Sequence, residues 1–201
     1  MKQGVEHAWD LLAASDPQEV CDRLAVDFST ETNTYTVPVL GHPIAVDVAA
    51  RTMTGSGAEA DFILGKAAYF SRISILRYLL DAQKIMPTGR LIAPTDLKSG
   101  QIYLQGSHLL PTGGIAARFA ADPEGFVKQA ARFGGERRAH GDVAVEMWPL
   151  PRVPIALILW LEDEEFPARS YLLFDETCEQ HVPPDILWSV AMLCALAMLR
   201  P

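Results

Sequence analysis

From Val153 to Leu161 the chain reads VPIALILWL, with no charged, hydroxyl or amide side chain. A strand that is apolar on both parities needs cover on both faces. That requirement restricts the chain to layered folds in which this strand is internal. The run ends in four consecutive carboxylates, Glu162, Asp163, Glu164 and Glu165, and a second strand is predicted from Ala168 to Phe174. Upstream, Val143, Val145 and Met147 alternate with Ala144, Glu146 and Trp148, the period of a strand with one wet face. Trp148 and Trp160 bracket the proline-rich link and are expected in the core.

The second constraint lies at the other end. After Pro183-Pro184, the stretch from Ile186 to Leu199 contains no charged residue. A helix that is apolar all round must be covered all round. It either packs centrally on the sheet or forms a homodimer or partner contact.

The remaining chain supplies helices and a second set of strands. Residues 4 to 14 read as a helix, and Asp16-Pro17 reads as a cap with proline at the first helical position, opening a helix to about Val26. Thr34 to Leu40 and Pro43 to Val48 are extended runs joined by a tight connection at Gly41-His42, and Pro38 and Pro43 suggest a sheet edge. Met53 to Ala58 reads as a loop, and one long helix is expected from about Glu59 to Ala82, with Ile63, Ala67, Phe70, Ile73, Leu76 and Leu80 inward. Gln101 to Gln105 suits a short strand. A helix follows Pro111-Thr112-Gly113-Gly114, and another starts at Asp122-Pro123 and ends at Gly134-Gly135. The sum is one α+β domain over residues 1–201, with a mainly antiparallel sheet of about five strands backed by helices.

Composition narrows the function classes. The net charge of −8 leaves no basic footprint for nucleic acid and disfavours an anionic membrane surface. No stretch approaches the ~20 apolar residues that span a bilayer. The N-terminus places Glu6, His7 and Asp10 where a signal peptide needs its apolar centre. Cys21, Cys178 and Cys194 are scattered and form no C-x-x-C, so no iron–sulfur cluster is expected in this chain, and free thiols point to a cytoplasmic protein.

Three groups could carry chemistry. The turn at Asp163, Glu164 and Glu165 could bind a hard cation or supply an acid–base pair, or it is a solvated hairpin guarding an apolar strand. His108, ahead of Thr112, Gly113 and Gly114, could flank an anion at a helix start, or it pins a loop. Cys178 and His181 are two potential metal ligands, too few for a site. Arg137-Arg138 reads as a solvated turn, with phosphate binding as the alternative.

Leu150-Pro151-Arg152-Val153-Pro154, Leu159-Trp160, Asp163 to Ala168 and Leu173-Phe174-Asp175 together resemble the DUF3786 family of bacterial and archaeal domains. Gly106 to Pro111 and Phe133-Gly134-Gly135 are similar to its pattern as well, so the resemblance covers most of the chain beyond residue 100. Some relatives carry an iron–sulfur module like that of the corrinoid/iron–sulfur protein. The resemblance therefore implies a cofactor-handling accessory role in anaerobic one-carbon or tetrapyrrole and corrinoid metabolism. Two other classes stay open: a small-molecule enzyme using a histidine–carboxylate pair, and a protein-interaction module docking through Ile186 to Leu199.

Overall fold

The computed structural model describes residues 2–24, 26–98, 100 and 109–201. The chain opens with helices α1 (Lys2–Ala14) and α2 (Pro17–Arg23). An antiparallel meander follows, made of β1 (Asp27–Ser29), β2 (Thr34–Val39), β3 (His42–Asp47) and β4 (Thr52–Thr54). Helices α3 (Ala58–Leu64) and α4 (Ala68–Asp81) lead to β5 (Leu91–Ile92), and α5 (Thr112–Phe119) and α6 (Pro123–Ala131) lead to β6 (Glu136–Arg138). Then come β7 (Val143–Leu150), β8 (Val153–Trp160), β9 (Arg169–Asp175) and α7 (Pro184–Leu199). The second sheet is antiparallel with order β5-β9-β8-β7-β6. The fold is α+β, as the patterns require, but the sheet of five strands is accompanied by a separate sheet of four.

The apolar strand is β8, and it lies in the middle of the five. Every residue from Val153 to Leu159 is buried. Val153, Ile155, Leu157 and Leu159 share a face with Val145, Met147, Leu172 and Phe174, under α5, α6 and α7. On the opposite face Ala144, Ala156 and Ile158 are sheltered by the larger Glu146, Tyr171 and Leu173 beside them in register. The turn at Gly141 closes over Ile158 so tightly that a Cβ there would stand 2.5 Å from it. Trp160, at the end of this strand, is not a core residue; it is 38% exposed, with the Arg169 guanidinium over its ring.

Helix α7 takes the central position. Ten of its sixteen residues are buried, and α4, α5, α6 and β7 pack around it. Its apolar surface is therefore satisfied within its own chain, which removes the need for a dimer contact to cover it. Gln129 of α6 donates its amide to the Ala197 and Arg200 carbonyls, tying down the far end of α7. Among the described residues no helix is long and apolar enough to cross a membrane.

Five sequence expectations need correction. The long helix is two, because Gly65 ends α3 where a Cβ would stand 2.6 Å from the Asp61 carbonyl. Phe70, Ile73 and Leu80 are only partly buried, while Ser71, Ser74, Ile75, Tyr78 and Leu79 form the inner face, since α4 packs on both α1 and α7. Pro38 and Pro43 sit in the two inner strands of the meander, paired with each other beyond the ends of the short β1 and β4, so no neighbour needs their missing N–H. Arg137 and Arg138 lie on edge strand β6, with Arg137 paired to Glu124 and Arg138 to Glu136 and Glu146. Part of the expected Met53 to Ala58 loop is β4, and the expected strand at 101–105 lies outside the described residues.

The hairpin between β7 and β8 turns through Pro151 and Arg152, with Leu150 and Val153 paired. Arg152 has φ +59°, a conformation that glycine takes without strain. Its guanidinium Nη1 donates to the Arg23 carbonyl at 2.7 Å and the Gln83 carbonyl at 3.3 Å, clamping α2 and the segment after α4 to the hairpin. Arg152→Ala should lose about 2 kcal/mol of stability, from the lost bonds to main-chain carbonyls. Arg152→Gly should recover about 1 kcal/mol of that through relief of the left-handed backbone. Urea midpoints that are equal in the two variants would remove the backbone part of this account.

Candidate functional site

Two buried polar residues, Asp175 and His181, stand where the chain enters α7, while the buried Tyr35 and Tyr78 hydroxyls elsewhere also have no hydrogen-bond partner among the described residues. Asp175, the last residue of β9, is fully buried. Its Oδ1 accepts from Thr177 Oγ1 at 2.6 Å, Thr177 N at 3.0 Å and Thr88 N at 3.3 Å, and its Oδ2 accepts from Gly89 N at 2.7 Å. Burial alone would raise this carboxyl, but the four hydrogen bonds outweigh it and hold the group below the usual carboxylate range. Asp175 therefore closes the end of the sheet and launches the 3-10 turn Cys178–Gln180.

Beyond that turn stands His181. It is fully buried, and among the described residues neither ring nitrogen has a hydrogen-bond partner. Burial, followed by the positive charge of Arg152, lowers its pKa, while the charge of Asp175 acts in the other direction. The imidazole is accordingly neutral at pH 7, offering one lone pair and one N–H that no described residue uses. A buried polar group in that state costs about 1–3 kcal/mol, which makes it an uncommon feature of a native interior.

His181 lines a cavity of about 520 Å³ together with Asp81, Gln83, Ile85, Glu179 and Gln180. The walls are firmly built. Gln83 N donates to the Gln180 carbonyl at 3.2 Å, and Lys98 N donates to Glu179 Oε1 at 3.0 Å. Arg23 hydrogen-bonds the Leu79 and Ala82 carbonyls, holding the end of α4 in place. Asp81 is raised by burial against the opposing charges of Arg77 and Arg23. Arg77 Nη2 lies 2.7 Å from Asp81 Oδ2 and also lines a second cavity, of about 510 Å³, across Pro183. The Arg77–Asp81 pair is thus a shared wall between two neighbouring cavities.

The residues singled out from sequence fall in different places. His108 lies outside the described residues. Thr112 and Gly113 form the first turn of α5, with the Thr112 carbonyl accepting from Ser170 Oγ at 2.8 Å. That bond places the start of α5 against the start of β9, just after the acidic turn. Asp163, Glu164 and Glu165 are exposed. Asp163 Oδ1 accepts from the Glu165 and Phe166 N–H groups at 2.8 Å each, and these bonds hold its carboxyl low. Its capacity is used in shaping its own turn.

Cys178 is buried, and burial together with the charge of Glu179 pushes its thiol up to about 12, so it is protonated at neutral pH. A thiol in that state is a poor metal ligand. Among the described residues no group of three or more His, Cys, Asp or Glu side chains is placed to hold a metal ion. Asp81, Gln83 and Arg77 were not singled out, because nothing local marks them; Asp81 and His181 are 100 positions apart in the chain (181 − 81).

An α+β protein with two antiparallel sheets and small-molecule-sized cavities at the start of its central helix is the class that this fold defines. The chain belongs to the DUF3786 family: the model described as "Domain of unknown function (DUF3786)" matches residues 16–197. No curated protein and no solved structure matches the chain. Arg152 and Asp175, two residues that carry the resemblance, both act electrostatically on His181.

Proposed function

We propose that this protein is a ligand-binding accessory protein and that its ligand sits in the cavity beside His181. One observation carries the reading: a neutral imidazole, fully buried and without a partner among the described residues at either nitrogen, lies at an open cleft whose lining mixes carboxylates and amides with Ile85, Val182 and Pro183. Nature rarely leaves a donor and an acceptor unpaired in an interior where a leucine would fit, unless a ligand completes them. The cavity falls within the usual ~300–1,000 Å³ range of small-molecule sites. The ring is closed off from solvent, so binding requires a small opening of the 179–183 segment.

A tetrapyrrole or corrinoid fits this donor set poorly. A neutral imidazole can serve as an axial ligand, but His181 presents no open face on which a macrocycle could stack. The observations favour a small polar ligand. Catalysis is the second reading, because a burial-raised Asp81 carboxyl and a neutral imidazole share one cavity, the pairing that acid–base chemistry uses.

His181→Leu tests the proposal. Replacing an unpartnered imidazole by an apolar side chain of similar size should leave stability unchanged or raise it by about 1 kcal/mol. Native mass spectrometry of the wild type should then show a bound small molecule that the variant lacks. If His181→Leu instead loses ~2 kcal/mol or more, the imidazole belongs to the core packing and the reading fails.

A further inference from the structure

The second cavity makes a different chemical offer. It opens between α1, α4 and the first turns of α7, and its larger part is apolar. Tyr69, Ile73, Ile186 and Trp188 form the apolar walls. Tyr69 is 54% exposed, and its ring meets Phe70, which in turn meets Trp188, at centroid distances of 4.9 and 5.4 Å. Against these walls stand the His7 imidazole of α1 and two opposite charges. Arg77 brings a guanidinium, one arm of which is on Asp81, and Asp185 brings an exposed carboxylate from the first turn of α7. Asp185 and Arg77 line the same cleft, and the charge of Asp185 adds to the burial that raises the neighbouring Asp81 carboxyl.

A cation, an anion and an aromatic wall in one cleft are complementary to a molecule carrying the opposite set. An aromatic monocarboxylate would meet Arg77 but leave Asp185 facing nothing, and an aromatic amine would do the reverse. Each singly charged ligand leaves one charge of the cleft without a counterpart on the ligand, and charge-assisted hydrogen bonds are the ones that discriminate most strongly. We infer that the cleft between α1, α4 and α7 binds a small zwitterion with an aromatic or large aliphatic side chain, of the chemical class of a free apolar α-amino acid. The carboxylate would pair with Arg77, the ammonium with Asp185, and the side chain would lie along Tyr69 and Trp188. This inference stands apart from the His181 cavity and survives its failure.

Isothermal titration calorimetry on the full chain tests it with three probes: L-phenylalanine, 3-phenylpropanoate and phenethylamine. The two analogues each lack one charge of the first. L-Phenylalanine should bind on the order of tenfold or more tightly than either analogue. Asp185→Asn, an exposed substitution, should erase its advantage over 3-phenylpropanoate, and Tyr69→Ala should weaken all three probes together. Arg77→Gln should erase the advantage over phenethylamine. No heat with L-phenylalanine would overturn the inference. So would equal affinity for the three probes, or binding of L-phenylalanine that Asp185→Asn and Tyr69→Ala leave unchanged.

Discussion

Gly134→Ala is expected to destabilise the protein by about 4 kcal/mol, the sum of a left-handed backbone that alanine resists and a collision with main chain. Gly134 has φ +66°, and a Cβ on it would stand 2.8 Å from Gly41 Cα and 3.2 Å from Gly41 N. Gly41, at φ +77°, meets the same distances in return. Two turns, one after β2 and one after α6, therefore touch backbone to backbone, and neither can shift a flexible side chain out of the way. Phe133 beside this contact is fully buried and meets Phe62 at 5.6 Å, so the seam cannot open without disturbing the core. Gly57→Ala is the control. It has φ +92° with nothing within 4 Å of the added carbon, and it should cost only about 1–2 kcal/mol. Denaturant melts that give both variants the same loss would show that the close approach of the two turns is not what the glycines serve.

Asp175→Ala carries the other large effect, again about 4 kcal/mol, because it leaves three main-chain N–H groups and a hydroxyl without their buried acceptor. It also changes the acid limb of stability. The folded-state pKa of Asp175 is lower than its unfolded value, so its contribution is complete above the unfolded value near 4 and drains away as pH falls through the lower folded one. The wild type should lose stability in that window, and Asp175→Ala should show a flatter limb there. His181 acts in a higher window. Its folded pKa is also depressed, so stability declines as pH falls from about 6.5 toward the folded value, and His181→Leu should remove that decline. Acid limbs of the same shape in wild type and Asp175→Ala would mean that the Asp175 carboxylate is not held low by its four donors.

Much of the architecture was legible from period and punctuation. Asp16 and Asp122 cap the helices that their following prolines begin, accepting from Gln18 N at 2.9 Å and Gly125 N at 2.8 Å. The hairpin over Gly41-His42 and the strands β7, β8 and β9 follow from alternation and from an apolar run of strand length. The short strands β1, β4, β5 and β6 left no such trace. Each has two or three residues and is held by the neighbour it pairs with, so its own side chains need no period. The residues that resemble the family proved informative about structure: Arg152 clamps a hairpin, Gly134 makes a backbone seam, and Asp175 closes the sheet.

Chemistry was less legible than fold. The conspicuous acidic run is an exposed turn that Asp163 holds in shape, whereas the cavities draw their lining from elements far apart in sequence, α1, α4, the 178–183 turn and α7. Residue chemistry alone determined that β8 must be internal and that α7 must be covered, because apolar surface seeks cover whatever supplies it. Only packing decided that this chain itself covers α7, that Trp160 falls beyond the sheltered part of β8, and that His181 is buried without a partner among the described residues. Local sequence sets what a segment needs. Which distant segment answers the need, and which need goes unanswered, depends on how the layers close on one another.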